Sequence, residues 1–139
     1  MLLYRDGSKY EGFWQYNKFT GWGKIIDLEG NIFIGAFDNG KLNGTGEKYT
    51  LTGSNYVGQF KNALKDGYGI DENNEHQYQG EFKNDKKEGT GKLKYKLIQD
   101  VYEGEFQDNA ITGTGFYTWS NRDTYQGTFI NGKMDGKGL

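Results

Sequence analysis

A five-residue unit, aromatic-x-Gly-x-aromatic, recurs six times in this chain: Tyr10-Gly12-Trp14, Phe33-Gly35-Phe37, Tyr56-Gly58-Phe60, Tyr78-Gly80-Phe82, Tyr102-Gly104-Phe106 and Tyr125-Gly127-Phe129. Successive copies start 22 to 24 residues apart. Each is followed by a Gly-x-Gly, at Gly21/Gly23, Gly44/Gly46, Gly67/Gly69, Gly89/Gly91, Gly113/Gly115 and Gly136/Gly138, and the step from the central glycine to the first of these is nine residues in every copy. A period of this length restricts the chain to stacked copies of one supersecondary unit. The constant stretch is that unit, and the variable stretch before the next copy is its connector.

Turn chemistry lies inside each unit: Asn39-Gly40, Asn62-Ala63, Asn84-Asp85, Asp108-Asn109 and Asn131-Gly132, with Tyr16-Asn17 in the first copy. Asn-Gly and its relatives supply two positive φ angles, the requirement of a type I′ turn between antiparallel strands. Each unit therefore reads as a β-hairpin. A second set of turn signals, Asp6-Gly7, Glu29-Gly30, Thr52-Gly53, Asn73-Asn74 and Asn121-Arg122, separates one hairpin from the next, so the whole reads as a meander. A two-residue turn sets Gly12 opposite Gly21, Trp14 opposite Phe19 and Tyr10 opposite Gly23; a six-residue loop slides this pairing by two. Both registers leave the same side chains on the same face, because side chains alternate with a period of two. One face carries the aromatics and glycines, the other Glu11, Gln79, Glu81, Glu103, Glu105, Thr90 and Thr114.

Glycine in a strand costs about 0.5–1 kcal/mol relative to Ala, so its repeated use needs a compensating contact. A ring laid across a facing glycine packs on bare main chain and lets neighbouring hairpins approach. Only 34% of the 139 residues are apolar and half of that content is aromatic (17%), with 23 glycines, which leaves no material for an aliphatic core between two layers. The expected fold is all-β: an elongated, curved, single-layer antiparallel meander of tandem β-hairpins. About twelve strands at roughly 4.8 Å give a rod near 55–60 Å. Asp and Glu number 19 against 17 Lys and Arg, mixed along the chain, which gives no field for nucleic acid. The absence of cysteine excludes disulfides and thiolate metal sites and fits a reducing compartment. Met1-Leu2-Leu3 gives way at once to polar sequence, so neither secretion nor membrane spanning is expected.

The Y-x-G-x-[F/W] unit followed by G-x-G, repeating about every 23 residues over essentially the whole chain, resembles the MORN (membrane occupation and recognition nexus) repeat. The resemblance implies a curved single-layer sheet with a six-residue loop in each hairpin and a concave groove lined by the aromatic face. It also implies scaffold and adaptor roles near cytoskeleton, cilia or membrane junctions, or an accessory role beside an enzyme. One MORN-repeat domain, 1–139, is expected, with repeats starting near 10, 33, 56, 78, 102 and 125, the last incomplete, and residues 1–9 closing a partial repeat. Phe33 stands where Tyr is usual and Ala36 where a polar residue is usual. The stretch 70–77 lacks the aromatic that Tyr49, Tyr95 and Trp119 supply after other copies, which marks the third connection as the weakest joint.

No catalytic constellation is expected: His76, the only histidine, sits in a polar connector without a cysteine to pair with, and Glu103 and Glu105 are ordinary for a solvated strand face. No cofactor or metal is called for. The expected partner-binding residues are Tyr10, Trp14, Phe33, Phe37, Tyr56, Phe60, Tyr78, Phe82, Tyr102, Phe106, Tyr125 and Phe129. They serve intrasheet packing, yet in a single layer part of their surface should stay open to a helical or extended segment of another protein. Lys83, Lys86, Lys87, Lys92, Lys94 and Lys96 form a second candidate, for an anionic partner or lipid headgroup, against the plainer reading of a solvated, aggregation-resistant face. The function these features suggest is a non-catalytic protein–protein scaffold in a larger assembly, cytoskeletal or ciliary (radial-spoke-like) and cytoplasmic; the alternatives are a peripheral module for anionic phosphoinositides and an accessory domain of an enzyme.

Overall fold

The computed structural model describes residues 2–3, 9–15 and 18–138, with side chains from residue 20 to residue 135. The expected turns at Asp6-Gly7 and Tyr16-Asn17, and Leu139, lie outside the described residues. Alternating apolar and polar positions broken by Asn, Asp and Gly favour short strands and tight turns, and the described residues form thirteen strands: β1 (Leu2–Leu3), β2 (Lys9–Gln15), β3 (Lys18–Ile26), β4 (Ile32–Asp38), β5 (Lys41–Tyr49), β6 (Asn55–Lys61), β7 (Leu64–Glu72), β8 (His76–Lys83), β9 (Lys86–Tyr95), β10 (Val101–Gln107), β11 (Ala110–Thr118), β12 (Thr124–Ile130) and β13 (Lys133–Gly138). They pair antiparallel in sequence order in one open sheet. Among the described residues there is no helix. The all-β single-layer meander is the observed fold.

Each described hairpin closes through a two-residue turn with both φ angles positive: Asn39 and Gly40 at 51° and 82°, Asn62 and Ala63 at 50° and 69°, Asn84 and Asp85 at 48° and 70°, Asp108 and Asn109 at 48° and 70°, Asn131 and Gly132 at 47° and 83°. Those values define type I′. Close to the turn the tight register holds, with Phe37 opposite Leu42, Phe60 opposite Lys65, Phe82 opposite Lys87 and Phe106 opposite Ile111. Further down it has slipped by two, so that Gly35 faces Gly46, Gly58 faces Gly69, Gly80 faces Gly91 and Gly104 faces Gly115. A bulge joins the halves: between these pairs one residue of the first strand spans three of the second, for instance Ala36 against Asn43, Gly44 and Thr45. The hairpin thus contains both registers that the spacing allows.

The first glycine of the first five Gly-x-Gly units sits in this bulge at positive φ, from 79° at Gly21 to 109° at Gly44, which an L side chain rarely adopts. A recurrent side chain caps it. Gln59 Oε1 accepts the Tyr68 N–H (3.1 Å), Glu81 Oε2 the Thr90 N–H (2.6 Å) and Glu105 Oε2 the Thr114 N–H (2.6 Å). Ala36 carries no such group, which gives the departure at that position its structural meaning.

The core lies on one face, here the ring face. Tyr56, Tyr78 and Tyr102 lie over the paired glycines and donate their hydroxyls to the carbonyls of Gln59 (2.8 Å), Glu81 (2.7 Å) and Glu105 (2.9 Å), at the bulge. Each tyrosine meets edge-on both the phenylalanine of its own copy and that of the next: Tyr56 with Phe60 and Phe82, Tyr78 with Phe82 and Phe106, Tyr102 with Phe106 and Phe129, at 5.0 to 5.3 Å between centroids. The result is an unbroken zipper from β6 to β12, worth about 0.5–1.5 kcal/mol per ring pair beyond burial. Adjacent hairpins are also tied at their tips, where Ala63, Asp85, Asn109 and Gly132 donate backbone N–H groups to the carbonyls of Leu42, Lys65, Lys87 and Ile111. The third connection, without its aromatic, is held by Asn73, which accepts the N–H groups of Glu75 and His76, and by the ion pairs Lys65–Asp71 (2.7 Å) and Glu72–Lys96 (2.6 Å).

Candidate partner-binding surface

The ring face is closed by the chain itself. Tyr102 is 0% exposed and Tyr56 1%, and Phe37, Phe60, Tyr78, Phe82, Phe106 and Phe129 are likewise buried; Phe33 and Tyr125 are half-buried. The side chains of Tyr10 and Trp14 lie outside the described residues. For the eight buried rings the expectation of a surface open on the second side is corrected by this burial, whereas Phe33 and Tyr125 keep part of theirs open. The cause is geometric: each tyrosine lies flat on bare glycine backbone, flanked by two phenylalanines, and the residue opposite each phenylalanine (Leu42, Lys65, Lys87, Ile111) lies beside the rings. Lys65 Nζ stands 5.1 Å from the Tyr56 centroid and Lys87 Nζ 5.5 Å from that of Tyr78. Burial pushes the Tyr56 and Tyr102 hydroxyls up to about 12 and raises that of Tyr78 further, while it lowers the Lys87 ammonium below its ordinary value.

The opposite, open face differs. Strand alternation places Trp22 (57% exposed), Val57, Tyr68, Ile70 and Phe116 there, all exposed. Cross-strand pairing sets Trp22 beside Ala36 and runs Ile34, Glu47, Val57 and Ile70 in one row over β4 to β7. Over β8 to β10 the same row turns polar, with Gln79, Lys92 and Glu103 in succession, before it reaches Phe116 on β11. An open depression of about 550 Å³ runs there over the backbones of Gly80, Gly91 and Gly104, walled by Tyr68, Gln79, Thr90, Lys92 and Glu103. A second, about 380 Å³, lies at the next bulges, between Gly89 and Gly113. The first is floored by backbone whose missing side chains leave room on the other face, where the Tyr78 and Tyr102 rings lie; at the second, a Cβ on Gly89 or Gly113 would meet the Glu81 or Glu105 carboxylate.

The lysines do not converge. Lys83 and Lys86 pair across a hairpin turn, with Lys86 3.8 Å from Asp108. Lys87 belongs to the ring face, Lys92 and Lys94 to the open face, and Lys96 is bonded to Glu72. His76 begins β8 and stacks edge-on against Tyr95 at 5.3 Å. Sequence reasoning missed the apolar residues of the open face. Their signal was available: Trp22 and Tyr68 occupy the middle of a Gly-x-Gly, where Thr45, Thr90 and Thr114 stand in other copies.

A family model described as MORN repeat matches residues 10–26, 33–50, 56–70, 78–96, 102–124 and 125–139, six segments that follow the hairpins. MORN repeats are modules for interaction with proteins or membrane lipids. Among the described residues no helix is long and apolar enough to cross a membrane. With the same unit found in its spacing, its hairpins and the six matches, the chain belongs to the MORN repeat family.

Proposed function

We propose that this chain is a protein-binding scaffold that holds a partner segment against its open face, within a larger cytoplasmic assembly of cytoskeletal or ciliary type. One observation supports this above the rest. The described part of the ring face is filled by the chain's own side chains, whereas the open face leaves Trp22, Val57, Tyr68 and Ile70 uncovered, with Tyr68 walling a glycine-floored crease. Contiguous apolar surface rimmed by polar residues is the usual mark of a protein contact, and Trp and Tyr are the side chains that most often dominate one. The assembly type is taken from the family resemblance alone.

The competing reading, a phosphoinositide-binding module, needs a cluster of cations facing one way, and the lysines of residues 83–96 are divided among both faces and an edge. A pull-down with identification of retained proteins, run beside a phosphoinositide liposome pelleting assay, separates the two. Retained partners should be lost on Trp22→Ser with Val57→Ser, with circular dichroism unchanged because both side chains are exposed. Pelleting with phosphoinositide that fades as salt rises, with no protein retained, would reverse the assignment.

A further inference from the structure

The two long edges of the sheet differ in a way that composition conceals. At the hairpin-tip edge the turns and their flanking pairs carry Lys41, Lys61, Lys83, Lys86 and Lys133 against Asp38, Asp85 and Asp108. At the connector edge Asp27, Glu29 and Glu75 stand in the first three described connectors without a lysine or arginine among them, Lys96 of the fourth is paired with Glu72, and the fifth carries Arg122 next to Asp123. The same edge presents aliphatic side chains at its loop tips: Leu28, Leu51 (80% exposed), Leu97 (82%) and Ile98. These tips are held in register. A Cβ placed on Gly30 would meet Leu51 Cδ1 at 2.7 Å, so Leu51 of one connector lies against the glycine of the connector before it. Asn73 and Asp27 lock their own loops by accepting backbone N–H groups, Asn73 from Glu75 and His76, Asp27 from Glu29 and Asn31.

We infer that this edge is a second docking surface and that it takes a basic amphipathic α-helix of a partner protein. The inference rests on the protein-binding reading but not on the open face. Charge selects the partner's sign: acidic groups around exposed leucines fit lysines and arginines flanking an apolar stripe, and they repel an anionic bilayer. Spacing selects its form. Connectors recur every two strands, about 9.6 Å, while seven residues of helix rise about 10.5 Å. From Leu28 to Leu97 is six strands, about 29 Å, which a helix of about 20 residues spans.

The test uses the full chain and a synthetic alanine-based helix of about 21 residues with leucine at every seventh position and lysines on either side, read by fluorescence anisotropy; a second helix has glutamate in place of lysine. The lysine helix should bind saturably and weaken as salt rises. Leu51→Ser with Leu97→Ser should raise Kd by about tenfold or more, as should Glu29→Lys with Glu75→Lys, with circular dichroism unchanged. Equal binding of the glutamate helix, no saturable binding, or indifference to the leucine substitutions would overturn the inference. So would a dimer in ultracentrifugation, or pelleting with phosphatidylserine vesicles, that the leucine substitutions abolish. Loss of pull-down partners on Trp22→Ser with Val57→Ser while the lysine helix fails to bind sinks this inference alone; helix binding with no effect of those two substitutions sinks only the open-face reading.

Discussion

Ala63 stands at φ 69° in the second position of its turn, where the other described hairpins have Gly40, Asp85, Asn109 and Gly132. A left-handed conformation costs a Cβ-bearing residue about 1–2 kcal/mol, and Asn and Asp soften that cost with local hydrogen bonds while Ala cannot. Ala63→Gly removes the clash and adds unfolded-state entropy of about 0.5–1 kcal/mol, so a net gain of about 0.5–1 kcal/mol is expected, read as a higher urea midpoint at unchanged slope. The bulge of β5 offers a second residue-scale test. Next to it Ala36 leaves the Thr45 N–H without the cap that Gln59, Glu81 and Glu105 provide elsewhere, and a Cβ on Gly44 would find only Ala36 Cβ, at 3.6 Å. Ala36→Gln should therefore stabilise by about 0.5–1.5 kcal/mol, and an unchanged or lower midpoint would show that the cap is inert there. The turn residues were legible in the sequence because Asn-Gly acts locally. The cap was not, since its donor lies nine residues away on a strand whose register is set by the bulge.

At the scale of the element, the hairpin is a device for laying a tyrosine on two facing glycines. A Cβ at Gly91 would stand about 2.5 Å from the Tyr78 ring and hydroxyl, and one built on the facing Gly80 would stand 2.5 Å from the Gly91 Cα. Gly91→Ala must push Tyr78 off its seat, away from Phe82, Phe106 and the Glu81 carbonyl together. A loss of about 2–4 kcal/mol is expected in urea denaturation, and a loss under about 1 kcal/mol would mean that the ring does not need bare main chain. Ring over glycine was readable from the alternation of Tyr, Gly and Phe. That each ring is also sealed by the phenylalanine of the following copy, some 26 residues on in the case of Tyr56 and Phe82, was not readable, because no local signal ties those two residues together.

Across the whole molecule the buried tyrosines act as one alkaline fuse. The Tyr56 and Tyr102 hydroxyls titrate near 12 in the folded chain, against about 10 in an unfolded one. Above pH 10 the unfolded chain gives up these protons first and is favoured, so stability should be unaffected by them below about pH 10 and fall steadily between about pH 10 and 12. Urea midpoints at about pH 9 and about pH 11 measure the drop, and Tyr56→Phe with Tyr102→Phe, although less stable at the lower pH, should show a smaller one. An equal drop in that variant would assign the alkaline loss to other groups. The repeating unit, the type I′ turns and the sharing of one face by Tyr, Gly and Phe were determined by the amino-acid sequence alone, because a period of two along a strand and a positive φ at Asn-Gly are properties of a few consecutive residues. Three things were decided only in the tertiary structure: the two-residue slip within each hairpin, the closure of the described ring face over its own aromatics, and the gathering of Asp27, Glu29 and Glu75 with exposed leucines along one edge. Each depends on which residue of a neighbouring strand lies alongside, and that is settled by pairing and packing between strands rather than by neighbours in sequence.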